Sequence, residues 1–272
     1  MSNPSTIATL RVADARLYYE MRGNGPVALL VGAPMDAMSF APLADLLATD
    51  HTVITTDPRG INRSVLDDPH ADSTPQSRAA DLAGLLSHVG GGPAVVLGSS
   101  GGAVSALALA QVRPDLVHTV IAHEPPLNDL LDDRDRLHAA TEEIVATHLR
   151  GDVEGAWRKF LELACIQLPE EVFQQLAGGE RTAQQVADEH YQHAHMLRPT
   201  TRWRPDPVAL RSTATRIVVG IGEESGGQLC ERTSVALAEL LDLEPTRFPG
   251  GHIGFVEDPA AFATRLRAVL GR

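Results

Sequence analysis

Apolar positions along the chain switch between two periods. Residues 6–12 and 16–21 alternate in the manner of strands around a short Ala13-Asp14-Ala15 turn and predict a hairpin. Residues 27–31 (VALLV) form an unbroken apolar run, as a strand buried on both faces should, and end in Gly32-Ala33-Pro34. Helical spacing follows through 40–47, then a strand over 52–56 that stops at Asp57-Pro58-Arg59-Gly60. The cycle repeats with a helix over 76–88, a break at Gly90-Gly91-Gly92-Pro93, a strand over 94–97, a small-residue helix over 101–112 and a strand over 116–123. Such alternation predicts a mainly parallel sheet with helices on both faces.

From about residue 128 to 205 the alternation stops, and the chain reads as polar and helical with no strand. It resumes with a strand over 216–220, a helix over 233–241, a short strand over 246–248 and a helix over 259–270, where Pro259 suits a helix start. The predicted fold class is therefore α/β. Residues 1–127 and 206–272 form one core around an eight-stranded, mainly parallel sheet, and residues 128–205 form a helical lid inserted into it.

Composition narrows the function. The 272 residues are 43% hydrophobic and 21% charged, enough to build a buried core. A formal net charge of −12 argues against nucleic acid or an anionic membrane surface as the main partner. Cys165 and Cys230 stand 65 residues apart and predict neither a zinc site nor a disulfide framework. No stretch reads as a signal peptide or approaches the roughly 18 apolar residues of a membrane span, so a cytoplasmic protein is expected. The oligomeric state is left open, with a homodimer among the options.

The chemistry is carried by Gly98-Ser99-Ser100-Gly101-Gly102, a G-x-S-x-G pattern between a predicted strand and a predicted helix. A serine on so tight a turn needs small residues two positions before and after. Ser100 has Gly98 and Gly102 there, whereas Ser99 would have Leu97, so Ser100 is the candidate nucleophile. Its general base should be a histidine. His252 fits best, in the Pro249-Gly250-Gly251-His252 loop between the last strand and the last helix. The acid that orients the imidazole has two sources. Glu124 follows the 116–123 strand and is stiffened by Pro125-Pro126, while Glu223 and Glu224 lie in a Gly-rich loop after the 216–220 strand. Rigidity favours Glu124; residue type does not decide.

Acyl transfer also needs donors for an oxyanion. The Gly101 N–H is one candidate and the Ala33 N–H the other, with Met35 second to it, because Pro34 has no N–H. Met35, Trp203 at the lid's end and Ile253 beside His252 are the candidate substrate-contacting residues. The cluster His190, His193 and His195 reads as a polar lid face and not as a metal site, since helical spacing turns His195 away from the other two.

With these parts in place, the chain resembles the α/β-hydrolase superfamily. Asp57-Pro58-Arg59-Gly60-Ile61-Asn62-Arg63-Ser64 resembles that superfamily's D-x-R-G-x-G-x-S turn, with Asn62 in place of a glycine. The usual His-Gly of the oxyanion loop is replaced by Val31-Gly32. Within the superfamily the chain is similar to zearalenone-type lactonases in Tyr18-Tyr19-Glu20, Ser99-Ser100-Gly101 and His123-Glu124-Pro125, the glutamate falling 24 residues after Ser100. That resemblance implies Glu124 as the acid. Aspartate-nucleophile relatives, the epoxide hydrolases and haloalkane dehalogenases, are disfavoured because position 100 is serine. The expectation is a serine hydrolase of a small-molecule carboxylic ester or lactone, needing neither cofactor nor metal. Carbon–carbon bond hydrolysis or a lyase step on the same residues is the alternative, and a non-turnover receptor a more distant one.

Overall fold

The computed structural model describes residues 5–177 and 179–271. Its strands are β1 (Thr6–Arg11), β2 (Ala15–Arg22), β3 (Val27–Val31), β4 (Thr52–Thr56), β5 (Val65–Leu66), β6 (Ala94–Ser99), β7 (Val117–His123), β8 (Arg216–Gly222) and β9 (Thr246–Phe248). Eight of them lie in the order β1-β2-β4-β3-β6-β7-β8-β9, and the two-residue β5 pairs with β2 off this path. The β1–β2 hairpin is antiparallel, as is β2 with β4; every pair from β4 through β9 is parallel. The mainly parallel eight-stranded sheet is as the sequence predicts. A two-residue strand leaves no periodicity, so β5 is found only in the structure.

Helices cover both faces. They are α1 (Ala41–Leu47), α2 (Pro75–Val89), α3 (Gly101–Val112), the inserted helices α4 (Arg134–Leu149), α5 (Val153–Ala164), α6 (Glu170–Ala177), α7 (Ala183–Tyr191) and α8 (Leu197–Thr201), then α9 (Pro207–Ser212), α10 (Leu229–Leu241), α11 (Gly254–Glu257) and α12 (Pro259–Leu270). Neighbouring strand residues feed opposite cores, as a period of two requires. Leu29, Val96, Val120 and Val219 join one core with residues of α2, α3 and α10. Leu30, Leu97, Ile121 and Val218 join the other with residues of α1 and α12. Helix α3 is buried along its first ten residues, Gly101–Ala110, which are all Gly, Ala, Val, Leu or Ser, so it sits close against the sheet centre.

Capping sets several helix limits. The Thr74 side chain accepts the Ser77 N–H at 3.1 Å to start α2, and Gly90 at φ 73° ends it. Asp258 caps α12 through the Ala261 N–H at 2.9 Å. Helix α10 begins four residues before its predicted start, because Leu229 and Cys230 are buried and extend its inner face. Between α7 and α8 the chain forms a π-helical stretch, Gln192–Met196. Among the described residues no helix is long and apolar enough to cross a membrane.

Hydrogen bonds stitch the inserted helices to the core. The Tyr191 hydroxyl donates to the Ala71 carbonyl at 2.9 Å, the Ser73 N–H to the His195 carbonyl at 2.9 Å, and the Asn62 N–H to Asp188 Oδ1 at 2.8 Å. Asn62 takes φ 50° and Gly60 φ 78°, and a Cβ on Gly60 would lie 2.2 Å from the Tyr191 ring. Beneath this turn the Arg59 guanidinium is buried on a bidentate pair with Asp81, at 2.6 and 2.7 Å, and also reaches the half-exposed Asp14.

Arg59→Met leaves the Asp81 carboxylate buried without its cation, so urea denaturation should show a loss of about 3–5 kcal/mol. Asp14→Ala removes only the exposed partner and should cost about 1 kcal/mol or less.

Candidate active site

Strand β6 ends at Ser99, α3 starts at Gly101, and Ser100 makes the turn between them at φ 55°, ψ −126°. Backbone angles of this kind cost an L-residue about 1–3 kcal/mol and persist only where the surroundings enforce them. Here the enforcement is steric. A Cβ on Gly98 would lie 2.4 Å from the Gly102 carbonyl oxygen, and one on Gly102 would lie 2.1 Å from the Val31 carbonyl oxygen. Only glycine fits at either place. The Ser100 N–H donates to the His123 carbonyl at 2.9 Å, which ties the turn to β7. Ser99 is fully buried, with Oγ 3.2 Å from His123 Nδ1, so of the two serines Ser100 is the one that lines the cavity.

Glu124 follows β7 at φ 51° and is fully buried. Its N–H donates to the Gly220 carbonyl at 3.0 Å, Oε1 accepts the Gly222 N–H at 2.8 Å, and Oε2 lies 2.6 Å from His252 Nδ1. One carboxylate thus joins the ends of β7 and β8 to the histidine loop. Burial alone would push this carboxyl up, but the His252 hydrogen bond and the charges of His123 and His252 outweigh it and bring it down to about 2. His123 is held down to about 4 by burial, inside a cage of Phe248, Phe255 and Phe262. It is neutral near pH 7.

His252 sits in the loop between β9 and α11, where Gly250 takes φ 75° and a Cβ on Gly254 would lie 2.2 Å from the Pro249 carbonyl oxygen. The alternative acids, Glu223 and Glu224, brace this loop by their backbones only. The Glu223 N–H donates to the Phe248 carbonyl at 2.8 Å and the Glu224 N–H to the Gly250 carbonyl at 3.0 Å, while both residues are exposed. The structure brings Glu124 to His252, and neither of these.

Ser100 and His252 line one cavity of about 140 Å³ between the sheet's carboxyl edge and the inserted helices. Ala33, Pro34 and Gly101 form its floor. A Cβ on Gly101 would lie 2.4 Å from the Ala33 carbonyl oxygen, so these two backbone segments touch. Apolar side chains from the insertion, among them Ile144, Phe160, Leu163, Met196 and Leu197, close it from above, and Leu229 and Cys230 of α10 form a wall. The three candidate substrate-contacting residues lie elsewhere. Trp203 is buried in the larger core, Ile253 is 42% exposed beside His252, and Met35 lines a shallower neighbouring cleft with Asp36 and Trp157. Sequence reasoning missed the cavity's roof. Residues facing a cavity and residues facing a helix neighbour share one helical period, so no pattern separates them.

Among the described residues, two groups bring three metal-ligand atoms within 4.8 Å: Glu124, Cys230 and His252, and, in the insertion, His148, Glu189 and His193. In the first, His252 Nδ1 is committed to Glu124, and burial together with Glu124 pushes the Cys230 thiol up. In the second, Glu189 accepts hydrogen bonds from Trp157 Nε1 at 2.6 Å and from Arg181. The expected polar face of His190, His193 and His195 is divided. His193 is buried and stacked on His148 at 4.2 Å, His190 is exposed, and His195 Nδ1 meets Asp72 Oδ1 at 3.1 Å.

An ionised carboxylate on Nδ1 holds the His252 proton there and leaves Nε2 without one. The stability that the ionised Glu124 contributes is fully present above the ordinary carboxylate value of 4.5 and is lost as pH falls toward about 2. Glu124→Gln should therefore flatten the pH dependence of the urea midpoint in that window, removing up to about 3 kcal/mol of it.

Comparison with known proteins agrees with this fold. The sequence pattern described as "Alpha/beta hydrolase family" matches residues 27–265. The uncharacterized hydrolase YraK of Bacillus subtilis is 31% identical over 265 residues, covering 96% of this chain and 95% of that protein. The zearalenone hydrolase of Bionectria ochroleuca is 30% identical over 169 residues, covering 58% of this chain and 63% of its own. Among solved structures, Est816, described as an N-acyl homoserine lactone degrading enzyme, superposes with a TM-score of 0.75 at 19% identity, covering 96% of this chain and 99% of its own. The chain belongs to the alpha/beta hydrolase family.

Proposed function

We propose that this protein is a serine hydrolase that cleaves a carboxylic ester or lactone through an acyl-enzyme on Ser100. The observation that carries the reading is the 2.6 Å hydrogen bond from the buried Glu124 to His252, which lines the same cavity as the strained Ser100. His252 Nε2 takes the Ser100 Oγ proton as Oγ bonds to the substrate carbonyl carbon. The developing oxyanion lies against the Ala33 and Gly101 N–H groups. Collapse of the tetrahedral intermediate breaks the ester C–O bond, and the imidazolium gives its proton to the leaving oxygen. Water, deprotonated by the same imidazole, then releases the acid and restores Ser100.

The cavity lining bears on the substrate. No Lys, Arg, Asp or Glu lines the cavity among the described residues, and most of its side chains are apolar, which suits an uncharged acyl group or ring. Residues 128–205 serve as the lid that shapes this space and keeps water from the acyl-enzyme. Likeness to the zearalenone hydrolase and to Est816 adds support for a lactone among the esters.

A fluorophosphonate probe tests the reading by intact mass. Wild type should gain one adduct and Ser100→Ala none, with Ser100→Ala losing about 10⁴-fold or more in kcat on whichever ester or lactone is turned over. A folded wild type that stays unlabelled and leaves an ester and lactone panel untouched would overturn it.

A further inference from the structure

Arg78, on α2, is 3% exposed, and every acceptor it reaches is neutral. Nε donates to Ser105 Oγ at 2.7 Å, Nη1 to the Ser73 carbonyl and, at 3.2 Å, to Ser73 Oγ, and Nη2 to Thr200 Oγ1 at 2.9 Å. The acid nearest to it along α2, Asp81, already has both oxygens on Arg59. A buried guanidinium without a carboxylate of its own is expensive, and an apolar residue of similar volume would serve packing better.

Its partners show where it acts. Ser105 Oγ donates onward to the Gly101 carbonyl at 2.9 Å, in the first turn of α3. Thr200, from α8, lines the cavity, and its Cγ2 lies 3.2 Å from where a Cβ on Gly101 would be. One guanidinium is therefore linked to the first turn of α3 through Ser105 and bonded directly to Thr200 in the cavity lining. It also places a buried positive charge two hydrogen bonds from the Gly101 carbonyl. Burial works against the charge and pushes the guanidinium down, yet it stays protonated at neutral pH.

We propose that Arg78 is a positioning residue for the oxyanion side of the site, acting through Ser105 and Thr200 to fix Gly101 and supplying a buried positive field where negative charge develops. This rests on the serine-hydrolase reading above. The bonds are preorganised, so the field acts in a water-poor region without reorganisation during the reaction.

The test is the second-order rate of fluorophosphonate labelling of wild type, Arg78→Met and Arg78→Lys, with kcat and KM on one ester that wild type hydrolyses. Arg78→Met should label about 10–100-fold more slowly and lose a similar factor in kcat, with KM changed by less than about 3-fold. Arg78→Lys restores the charge but not the fork and should recover to within about 5-fold of wild type. If Arg78→Met does not fold, Ser105→Ala takes its place, since it cuts only the link to Gly101 and should slow labelling by about 3–10-fold. A folded Arg78→Met that labels at the wild-type rate, or whose loss lies wholly in KM, would overturn the assignment. A folded Ser105→Ala without effect does so where Arg78→Met cannot be read. Wild type that is itself unlabelled sinks the serine-hydrolase reading, and this inference with it.

Discussion

The contact between Gly102 and the Val31 carbonyl, where a Cβ would lie at 2.1 Å, is the constraint on which the site depends. It lets the first turn of α3 settle onto the end of β3, and this close approach leaves Ser100 no room for ordinary backbone angles. Gly98 provides the same clearance from the strand side. The cavity floor follows from the same packing, since the α3 turn that carries Gly101 is pressed against Ala33. Strain at the serine is therefore sustained by two of the best-packed elements of the molecule, β6 and α3.

Parallel strands deliver the remaining groups to one edge. Ala33 follows β3, Asp57 follows β4, Glu124 follows β7 and the histidine loop follows β9, all at carboxyl ends, where open α/β sheets place their sites. The two carboxylates buried at that edge are tolerated because both are hydrogen-bonded. Asp57 accepts the Ala37 N–H at 2.9 Å and Arg63 Nε at 2.7 Å, while Glu124 divides its oxygens between Gly222 and His252. Fixed hydrogen bonds of this kind give the edge a rigidity that apolar packing alone does not supply.

The inserted helices complete the enclosure rather than the chemistry. They contribute a roof of apolar side chains and are moored to the core through Tyr191, Asn62 and the Arg78–Thr200 bond. Because the moorings fall on residues 59–78 of the core, the D-x-R-G turn and the start of α2 support the cavity from below while serving the fold. Gly60 shows the coupling: its positive φ serves the turn, and its missing side chain leaves room for the Tyr191 ring.

The parallel sheet, the elbow and the histidine loop were legible in the chain because each leaves a local mark. Strands buried on both faces show as continuous apolar runs, and a serine turn under steric pressure shows as Gly98 and Gly102 on either side. Which glutamate meets His252 was only half legible, since Glu124, Glu223 and Glu224 all follow strands and carry the same side chain. What separates them is tertiary. Glu124 points into the protein and meets His252, while the other two face solvent. Likewise Trp203, in sequence a candidate wall of the pocket, belongs to the core, and the actual roof comes from Ile144, Phe160 and Leu163. By itself the sequence determined which residues can make a strained serine turn and a mainly parallel sheet, because those are matters of local sterics and hydrophobic period. Only the tertiary structure decided which carboxylate is buried and which apolar side chains enclose a cavity, because both depend on what long-range packing brings alongside.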